Sequence, residues 1–246
     1  MERFEDQLLP LWKEAFGDHN GFWELFLRTG FSPDRCRYLE EKGRITAALT
    51  WLDCSCQGQK MAYVYAVVTH PGHRGRGLCR RLMEQTHHQL QSQGYAAVLL
   101  VPADPGLQEM YAKLGYETCT CVSEGSAAAE DPPASVHCVT QEEYAALRQR
   151  LLPKGGVIQE GENLTFLSAQ AQLYAGETVL LAAYAENGIL HAMELLGDTA
   201  AAPGIARALG FESVTYRAPG SQIPFAMWHP LIPHAQKPTY FGFAFD

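Results

Sequence analysis

One stretch of the chain, residues 60–101, constrains the fold more than any other part of the sequence. Residues 60–69 are rich in Val and Tyr, which is typical of a buried strand. Apolar residues at helical spacing, ending at Gly94, predict a helix over 77–93. The short, continuously apolar run 96–101 predicts a strand that is buried on both faces. A strand, a helix and a second buried strand in this order predict a sheet with helices packed on it.

The segments before and after this stretch predict further elements. Lys42-Gly43 separates two strand-like runs, and Asp104-Pro105 has the residue types of a helix start. The elements predicted for this part are helices within 8–27, strands at 37–41, 44–56 and 60–69, a helix over 77–93, a strand at 96–101, a helix ending at Gly115 and a strand at 116–122. Their order predicts an α/β (α+β) fold.

The second part of the chain follows a segment with the composition of a linker. Residues 123–135 contain the run Gly-Ser-Ala-Ala-Ala-Glu-Asp-Pro-Pro, which is typical of a loop. Beyond it, the sequence predicts a helix near 141–152, a hairpin that turns at Asn187-Gly188 and a helix that ends at Gly210.

A weak internal repeat connects the two parts. Pro105-Gly106-Leu107 leads to Leu114-Gly115-Tyr116-Glu117-Thr118, and Pro203-Gly204-Ile205 leads to Leu209-Gly210-Phe211-Glu212-Ser213. The spacing differs by three residues, and a helix that ends at Gly before a strand is also a common corner. The pattern favours a duplication in which the second half is a shortened copy of the first.

Charge and composition exclude several classes of function. The formal net charge is −8, which argues against general nucleic-acid binding because that requires a basic face. The acidic start Met1–Asp6 lacks the order of a signal peptide, and the longest apolar runs have strand length, which argues against a membrane span. We therefore expect a cytoplasmic protein whose seven cysteines are reduced. Two Cys-x-Cys pairs occur, Cys54/Cys56 and Cys119/Cys121. Residues i and i+2 share one face of a strand, and structural zinc sites use a longer ligand spacing, so we interpret these cysteines as small apolar residues on a strand face rather than as zinc ligands.

The loop between the strand at 60–69 and the following helix has the features of an anion site. Gly75 and Gly77 allow the backbone to approach a ligand closely, since glycine has no Cβ. The helix that begins there directs free N–H groups and the positive end of its dipole to the same place, which favours phosphate. Four of the 19 basic residues of this acidic chain also fall here: Arg74, Arg76, Arg80 and Arg81. A polyanionic ligand explains this concentration better than a solvated surface turn does.

The residue types of this loop distinguish between families of anion-binding proteins. The loop lacks the Gly-Lys-Ser/Thr of a P-loop and the Gly-x-Gly-x-x-Gly of a dinucleotide loop. Residues 74–79, Arg-Gly-Arg-Gly-Leu-Cys, instead resemble the Arg-x-x-Gly-x-small pyrophosphate loop of the GNAT superfamily, with Cys79 where Gly or Ala is usual. Residues 110–117, Met-Tyr-Ala-Lys-Leu-Gly-Tyr-Glu, resemble the second signature of that family, a Tyr before a helix-ending Leu-Gly-aromatic. The resemblance covers about residues 1–122.

The resemblance implies a mixed sheet whose central parallel strands splay apart and are flanked by helices, followed by a second, smaller half of the same type. It implies an acetyl-CoA-binding domain at 1–124, a linker at 125–134 and a degenerate copy at 135–246. This plan is similar to that of tandem-GNAT proteins related to the enhanced intracellular survival acetyltransferases. The second half has no Arg-x-x-Gly loop, so we expect it to cover the acceptor cleft or to mediate homodimerisation rather than to bind CoA.

By this resemblance the cosubstrate is acetyl-CoA, and no metal takes part. Backbone groups of Val67, Val68 and Thr69 are expected to bind the pantetheine arm and to stabilise charge on the attacked carbonyl. The pyrophosphate is expected to bind to the loop and the first turn of the helix: Arg74, Gly75, Arg76, Gly77, Leu78, Cys79 and Arg80.

Tyr111 matches the position of the general acid that is usual in the family. A phenol with a reference pKa of about 10 and a thiol with one of about 8.5 are nearly balanced for proton transfer to the departing thiolate. The other interpretation is a core residue, because Tyr111 lies on the apolar face with Leu107 and Leu114.

These patterns do not identify the general base that deprotonates the amine. Asp53 and Glu40 lie on predicted strands, and a water chain is a further alternative. The aromatic, strand-like tail over 240–246 ends in the terminal carboxylate of Asp246, which is a further candidate. In the tandem-GNAT proteins that this chain resembles, the terminal carboxylate is the base.

The predicted function is the transfer of an acetyl group from acetyl-CoA to a primary amine of a small molecule or peptide. The alternative is an acyl-CoA-binding regulatory or scaffold protein that has lost the chemistry, and the retained Tyr111 favours the enzyme. A phosphate-binding protein unrelated to CoA is disfavoured because two family signatures occur in order. The acidic charge favours a cationic amine, whose identity the sequence leaves open.

Overall fold

The computed structural model describes residues 4–17 and 21–245. The helices of this part, α1 to α7, are Phe4–Phe16, Phe22–Thr29, Leu78–Ser92, Pro105–Ala112, Gln141–Leu151, Glu162–Gln170 and Ala202–Leu209. The strands, β1 to β14, are Cys36–Glu41, Arg44–Cys56, Gln59–Thr69, Ala97–Leu100, Glu117–Thr118, Cys121–Ala128, Val136–Cys138, Ile158–Gln159, Gln172–Gly176, Val179–Glu186, Ile189–Gly197, Ser213–Pro219, Ile223–Pro224 and Met227–Pro230. None of the helices in residues 4–17 and 21–245 is long and apolar enough to cross a membrane.

The strands form two sheets of seven strands each. The order in the first sheet is β1-β2-β3-β4-β14-β5, with β8 also paired to β2, and the order in the second is β13-β6-β12-β11-β10-β9-β7. One pair in each sheet is parallel, β3 with β4 and β11 with β12, and the neighbouring pairs are antiparallel. The predicted mixed α/β class with two halves is therefore confirmed.

Strands are exchanged between the two parts of the chain: β8 and β14 belong to the first sheet, and β6 belongs to the second. β14 lies between β4 and β5, and β6 lies between β12 and β13, antiparallel to its neighbours in each case. The single strand predicted over 116–122 is therefore wrong: it is two strands, β5 and β6, in different sheets. The chain turns between them because the N–H groups of Cys119 and Thr120 both donate to the carbonyl oxygen of Ala226, at 2.9 and 3.3 Å.

Part of the segment predicted as a linker is regular strand. Residues 125–128 belong to β6 and pair with β12, so the predicted boundary at residue 124 falls inside one strand. Small residues suit this place because the ring of Tyr216 covers Gly125, where a Cβ would lie 2.4 Å from the ring. The Gly and Ala content of this segment therefore reflects packing on the sheet.

The topology relates the two halves more clearly than the sequence repeat does. Helix α3 connects the parallel strands β3 and β4, and α7 connects β11 and β12 in the same way. The first strand of each unit carries an extra residue relative to its antiparallel neighbour, near Ala66 in β3 and at Met193 in β11. In the sequence repeat, α7 corresponds to α4 instead of α3. Helix α4 is followed by β5, which is the last strand in the order of the first sheet. The Leu-Gly-aromatic motifs thus lie at different places in two related folds.

The core consists of three clusters of buried side chains. The central cluster combines residues of both sheets with α1, α2, α6 and the buried C-terminal segment 240–245. The second cluster joins the first sheet to α3 and α4, and the third joins the second sheet to α7. The C-terminal segment is therefore part of the interior that the two halves share.

Candidate active site

The parallel strands β3 and β4 separate soon after they pair. Their ladder ends at the pair Tyr63–Leu99, whereas β3 continues to Thr69. Ala66, with φ of 52°, lies in the left-handed region at the place where β3 carries its extra residue. The edge of β3 beyond Tyr63 is left without a β4 partner in the described part of the chain, which confirms the predicted splay.

The three residues predicted to bind the pantetheine arm lie at this open end of β3. Val68 is buried in the central cluster, and Val67 packs on the side that carries α3 and α4. The carbonyl oxygen of Thr69 accepts a hydrogen bond from Arg74 Nε at 3.2 Å. Because the backbone groups of successive residues alternate in direction along a strand, those of Val67 and Thr69 face the same side. The backbone there is placed to pair with an extended ligand.

The loop after β3 presents a series of backbone N–H groups. Gly75 and Gly77 have φ of 75° and 72°, a region that favours glycine. The N–H groups of residues 75–80 have no carbonyl partner within the described ranges, and the N–H of Arg81 is the first to bond back, to Gly77 at 3.0 Å. A Cβ built on Gly75 or Gly77 meets no atom within 4 Å, so the space beside both residues is open. This is the geometry of an anion site at a helix N-terminus.

The arginines of this loop differ in their contacts. Arg76 donates to the carbonyl oxygen of Gly72 at 3.5 Å, and its guanidinium lies 3.7 Å from Glu41. His73 Nε2 lies 3.6 Å from the same carboxylate, while Arg80 is exposed to solvent. Both contacts are long and exposed, so Glu41 contributes only weakly to holding the loop against the end of β1. The sequence did not indicate this role, because nothing distinguishes Glu41 from the other exposed glutamates.

Tyr111 lies beside the first turn of α3. Leu78 anchors that turn in the second cluster, and both Cys79 and Tyr111 pack in the same cluster. Burial raises the pKa of the Cys79 thiol. Burial also raises the pKa of Tyr111, and the neighbouring Cys79 raises it further. Tyr111 is thus a core residue that is also adjacent to the anion site.

The residues considered for the general base lie in different places. Asp53 pairs with Ala62, at the opposite end of β3 from the loop, and is hydrogen-bonded to Tyr95. Glu40 is exposed on β1, the first strand in the order of the first sheet. Asp246 lies outside the described residues.

The C-terminal segment reaches the open end of β3. Tyr65 Oη donates a hydrogen bond of 2.6 Å to the carbonyl oxygen of Phe245, and Tyr65 immediately precedes the irregular residue Ala66. The ring of Phe245 also packs on Phe166, with centroids 4.6 Å apart. The aromatic residues of the tail predict that the C-terminal segment is buried. Its hydrogen-bond partner, Tyr65, depends on how the two halves pack, so the sequence does not predict it.

The corresponding turn of the second half lacks the features of an anion site. Between β11 and α7 the chain passes through Asp198, whose carboxylate accepts from the N–H of Ala200 at 3.0 Å. The one basic residue of α7, Arg207, lies in its last turn. A carboxylate before the helix repels phosphate, so only the first half offers this kind of site among the described residues. No group of three or more His, Cys, Asp or Glu side chains within those residues is placed to hold a metal ion.

The fold and the loop together define a class of protein in which splayed parallel strands of a mixed sheet lead into an anion-binding helix N-terminus. Residues 2–119 match the family model described as an acetyltransferase (GNAT) domain. Residues 2–119 therefore form a GNAT acetyltransferase domain, as the two signatures predicted. A search of curated proteins gave no significant match.

Solved structures share the fold over both halves of the chain. A GCN5-related N-acetyltransferase from Kribbella flavida aligns with a TM-score of 0.69 and 19% identity, over 94% of this chain and 71% of that one. A GCN5-related N-acetyltransferase from Anabaena variabilis gives 0.71 and 16%, over 94% and 72%. A tandem GNAT protein from the clavulanic acid biosynthesis pathway gives 0.52 and 15%, over 89% and 90%. At these identities the comparison establishes the fold.

Proposed function

We propose that the protein is an N-acetyltransferase that moves the acetyl group of acetyl-CoA to the nitrogen of a primary amine. The observation that carries this proposal is the series of N–H groups at 75–80, at the open end of two splayed strands. The first feature suits a pyrophosphate and the second an extended arm. The match of residues 2–119 to the GNAT acetyltransferase domain supports an acyl group as the unit transferred.

The residues present fit the two parts of this donor. Gly75 and Gly77 leave open space for phosphate oxygens in front of the first turn of α3, whose dipole favours negative charge. The exposed Arg80 adds a cation that can pair with a phosphate. The backbone of Val67 and Thr69 offers the amides of the pantetheine arm a strand edge to pair with.

The proposed transfer is a direct attack. Acetyl-CoA supplies the acetyl group as a thioester: the amine nitrogen bonds to the carbonyl carbon, the C–S bond breaks, and the sulfur leaves with its electron pair. We assign to a backbone N–H at the open edge of β3, next to Ala66, the role of donor to the carbonyl oxygen as negative charge develops there. Such a fixed donor stabilises the transition state without reorganisation.

Tyr111 is proposed to stabilise the leaving sulfur. The raised pKa of this buried phenol keeps it protonated over the whole range in which amines react, so that it is always a hydrogen-bond donor. Burial also makes the phenol a weaker acid than the reference values imply. Hydrogen bonding to the developing thiolate therefore precedes any complete transfer of the proton.

The ammonium form of the acceptor must lose a proton before it attacks. We place the base at the open end of β3, near Tyr65 and Phe245, rather than at Asp53, which lies at the other end of the strand. A water chain or the carboxylate of Asp246 meets this requirement, and the role of Asp246 stays a prediction. Deletion of residues 245–246 is its test, with unchanged turnover of a folded product as the outcome that removes it.

Free-thiol release from acetyl-CoA, measured with a panel of primary amines, tests the proposed function. We expect amine-dependent thiol release, a product heavier by one acetyl group, and loss of both in Gly77→Glu. Binding of acetyl-CoA without thiol release for any amine would instead support the alternative, a catalytically silent acyl-CoA-binding protein.

A further inference from the structure

Gln159 is a buried polar side chain of β8 that no step of the reaction described above uses. Only 1% of its surface is exposed, and β8 pairs with β2 so that Gln159 lies opposite Cys54. A buried amide costs free energy unless its N–H and carbonyl groups are hydrogen-bonded. The partners of the Gln159 amide therefore indicate what this side chain does in the fold.

Both partners of this amide belong to the backbone of one residue, Phe243. Gln159 Nε2 donates a hydrogen bond of 3.0 Å to the carbonyl oxygen of Phe243, and the N–H of Phe243 donates to Gln159 Oε1 at 3.4 Å. The side chain thus binds the N–H and the C=O of Phe243 as the backbone of a neighbouring strand would. This double contact fixes both the position of the C-terminal segment and the direction of its backbone.

The residues that precede Phe243 in this segment are also held by specific contacts. The N–H of Val157 donates a hydrogen bond of 2.8 Å to the carbonyl oxygen of Tyr240. A Cβ on Gly242 would collide with the carboxylate of Glu194, so no larger residue fits at this place. The path of the C-terminal segment is therefore fixed from Tyr240 to Phe243.

Two residues beyond Phe243, the segment reaches the open end of β3. Tyr65 Oη donates its hydrogen bond of 2.6 Å to the carbonyl oxygen of Phe245, whose side chain is buried. Two residues span at most about 7 Å, so the position of Phe243 limits where the carbonyl oxygen of Phe245 can lie. A displacement of Phe243 is therefore transmitted to the hydroxyl of Tyr65.

Tyr65 adjoins the irregular part of β3. Ala66 has φ of 52°, in the left-handed region, which costs a residue other than glycine roughly 1–2 kcal/mol. Such a conformation persists only where the surrounding contacts determine it. Tyr65 and Val68 pair with β2 on either side of Ala66, and the hydrogen bond to Phe245 holds the side chain of Tyr65 in addition. The C-terminal segment thus stabilises β3 just beyond the point where β3 and β4 separate.

We propose that Gln159 is a positioning residue for acetyl transfer. By holding Phe243, it fixes where the C-terminal segment meets Tyr65, and so it keeps β3 at Ala66 in the conformation that directs an N–H to the carbonyl oxygen of the thioester. This inference rests on the proposed function, in which that N–H is the donor to the carbonyl oxygen. It gives a part in the chemistry to a residue outside the acetyltransferase domain at 2–119, through the backbone rather than through contact with the substrate.

The test uses acetyl-CoA labelled with ¹³C at the carbonyl carbon, bound to the full chain, and follows its C=O stretch by infrared spectroscopy. A hydrogen bond to the carbonyl oxygen lowers the frequency of this band, so the band reports how well the donor is placed. Gln159→Met keeps the length of the side chain and removes both hydrogen bonds to Phe243. The band should move to higher frequency than in the wild type, while calorimetry should give an unchanged affinity for acetyl-CoA because the anion loop is intact.

Gln91→Met is the matched control. Gln91 Nε2 donates a hydrogen bond of 2.6 Å to the carbonyl oxygen of Leu231, so this variant also loses a bond between a glutamine amide and the backbone. Gln91 lies in the last turn of α3, at the opposite end of the helix from the anion loop. The band in Gln91→Met should coincide with the band in the wild type.

Tyr65→Phe shows whether Gln159 acts through the C-terminal segment. This change keeps the ring and removes the hydroxyl that binds Phe245, so the band should move as it does in Gln159→Met. The double variant should show no further shift, because both changes break the same connection.

A band at the wild-type position in Gln159→Met or in Tyr65→Phe, an equal shift in Gln91→Met, or shifts that add in full in the double variant would overturn the inference while the proposed function stands. If Gln159→Met does not fold, Tyr65→Phe alone decides: a moved band supports the inference and an unmoved band overturns it. Failure of the wild type to bind acetyl-CoA, measured separately by calorimetry, removes the proposed function itself.

Discussion

The hydroxyl of Tyr65 on β3 and the carbonyl oxygen of Phe245 near the end of the chain are joined by a hydrogen bond of 2.6 Å. Five residues before Phe245, the hydroxyl of Tyr240 donates to the buried carboxylate of Glu194 on the second sheet at 3.0 Å. One buried segment thus binds the edge of the splayed strands in the first half and the extra-residue region of β11 in the second. This connection joins the two halves through the buried C-terminal segment.

The loop assignment predicts an asymmetry between two glycines of α3. Gly77 and Gly94 flank the helix with φ of 72° and 80°, and a Cβ at either meets no atom within 4 Å. Gly77→Glu should weaken acetyl-CoA binding at least 100-fold, because it places a carboxylate among the N–H groups that bind phosphate. Gly94→Glu carries a similar backbone cost, on the order of 1–2 kcal/mol, but should bind acetyl-CoA normally. Titration calorimetry measures both, and equal affinities would remove the loop assignment.

The proposed role of Tyr111 predicts a loss of turnover without a loss of binding. Tyr111→Phe should lower kcat by about 100-fold, the lower end of what an acid catalyst contributes, and leave the affinity for acetyl-CoA nearly unchanged. Tyr116 is the matched control, since its ring lies 5.8 Å from that of Tyr111 and its hydroxyl bonds to His87 at 2.7 Å. Tyr116→Phe should lower stability by about 1 kcal/mol and keep kcat. Unchanged kcat in Tyr111→Phe leaves this residue a purely structural role.

The buried ion pair between Arg148 and Glu194 predicts a large stability effect. Arg148 Nε and Nη2 lie 2.7 and 2.9 Å from the two carboxylate oxygens, and both side chains are almost completely buried. Glu194→Gln should lower the free energy of unfolding by about 3–5 kcal/mol, because it leaves a buried cation without its partner. Asp131→Asn removes an exposed ion pair with Arg207, 3.0 Å long, and should cost less than about 1 kcal/mol. Urea denaturation of both variants provides the comparison, and similar losses would contradict the assigned burial.

His87 predicts a loss of stability in mild acid. Burial, followed by the charges of His229 and His88, lowers its pKa from 6.5 to about 4. The folded state therefore favours neutral His87, and the resulting stability is complete above pH 6.5 and is lost as the pH falls towards 4, by up to about 3 kcal/mol. His87→Gln keeps a polar group beside Tyr116 but does not titrate in this range. The difference in unfolding free energy between wild type and His87→Gln should fall over this interval, and a difference that stays constant would contradict the assigned burial of His87.

The sequence predicts those parts of the molecule that depend on local signals. The strand before the loop, helix α3 and its stop at Gly94 follow from periodicity and from residues with special backbone freedom. The anion loop follows from Gly75 and Gly77 in the same way. Helix α6, Glu162–Gln170, was not predicted, because it is short and starts at Gly161 without a side-chain cap.

Local signals do not predict that β6 and β14 are exchanged between the two sheets. A strand of four residues such as Met227–Pro230 has nothing in its composition that specifies β4 and β5 as neighbours. The bond between Tyr65 and Phe245 depends on that same packing, since 180 residues separate the two. Contacts between distant segments decide where the C-terminal tail lies, and local patterns do not encode them.

The most direct test of the central claim is a calorimetric titration of the wild-type chain with acetyl-CoA, with ADP and NAD as controls. We expect one selective site per chain, because the turn before α7 carries Asp198 in place of a basic loop. At about 100 times its dissociation constant, acetyl-CoA should also raise the free energy of unfolding by roughly 2.7 kcal/mol. No binding by the folded protein, or equal binding of NAD, would contradict the claim that this loop is an acetyl-CoA site.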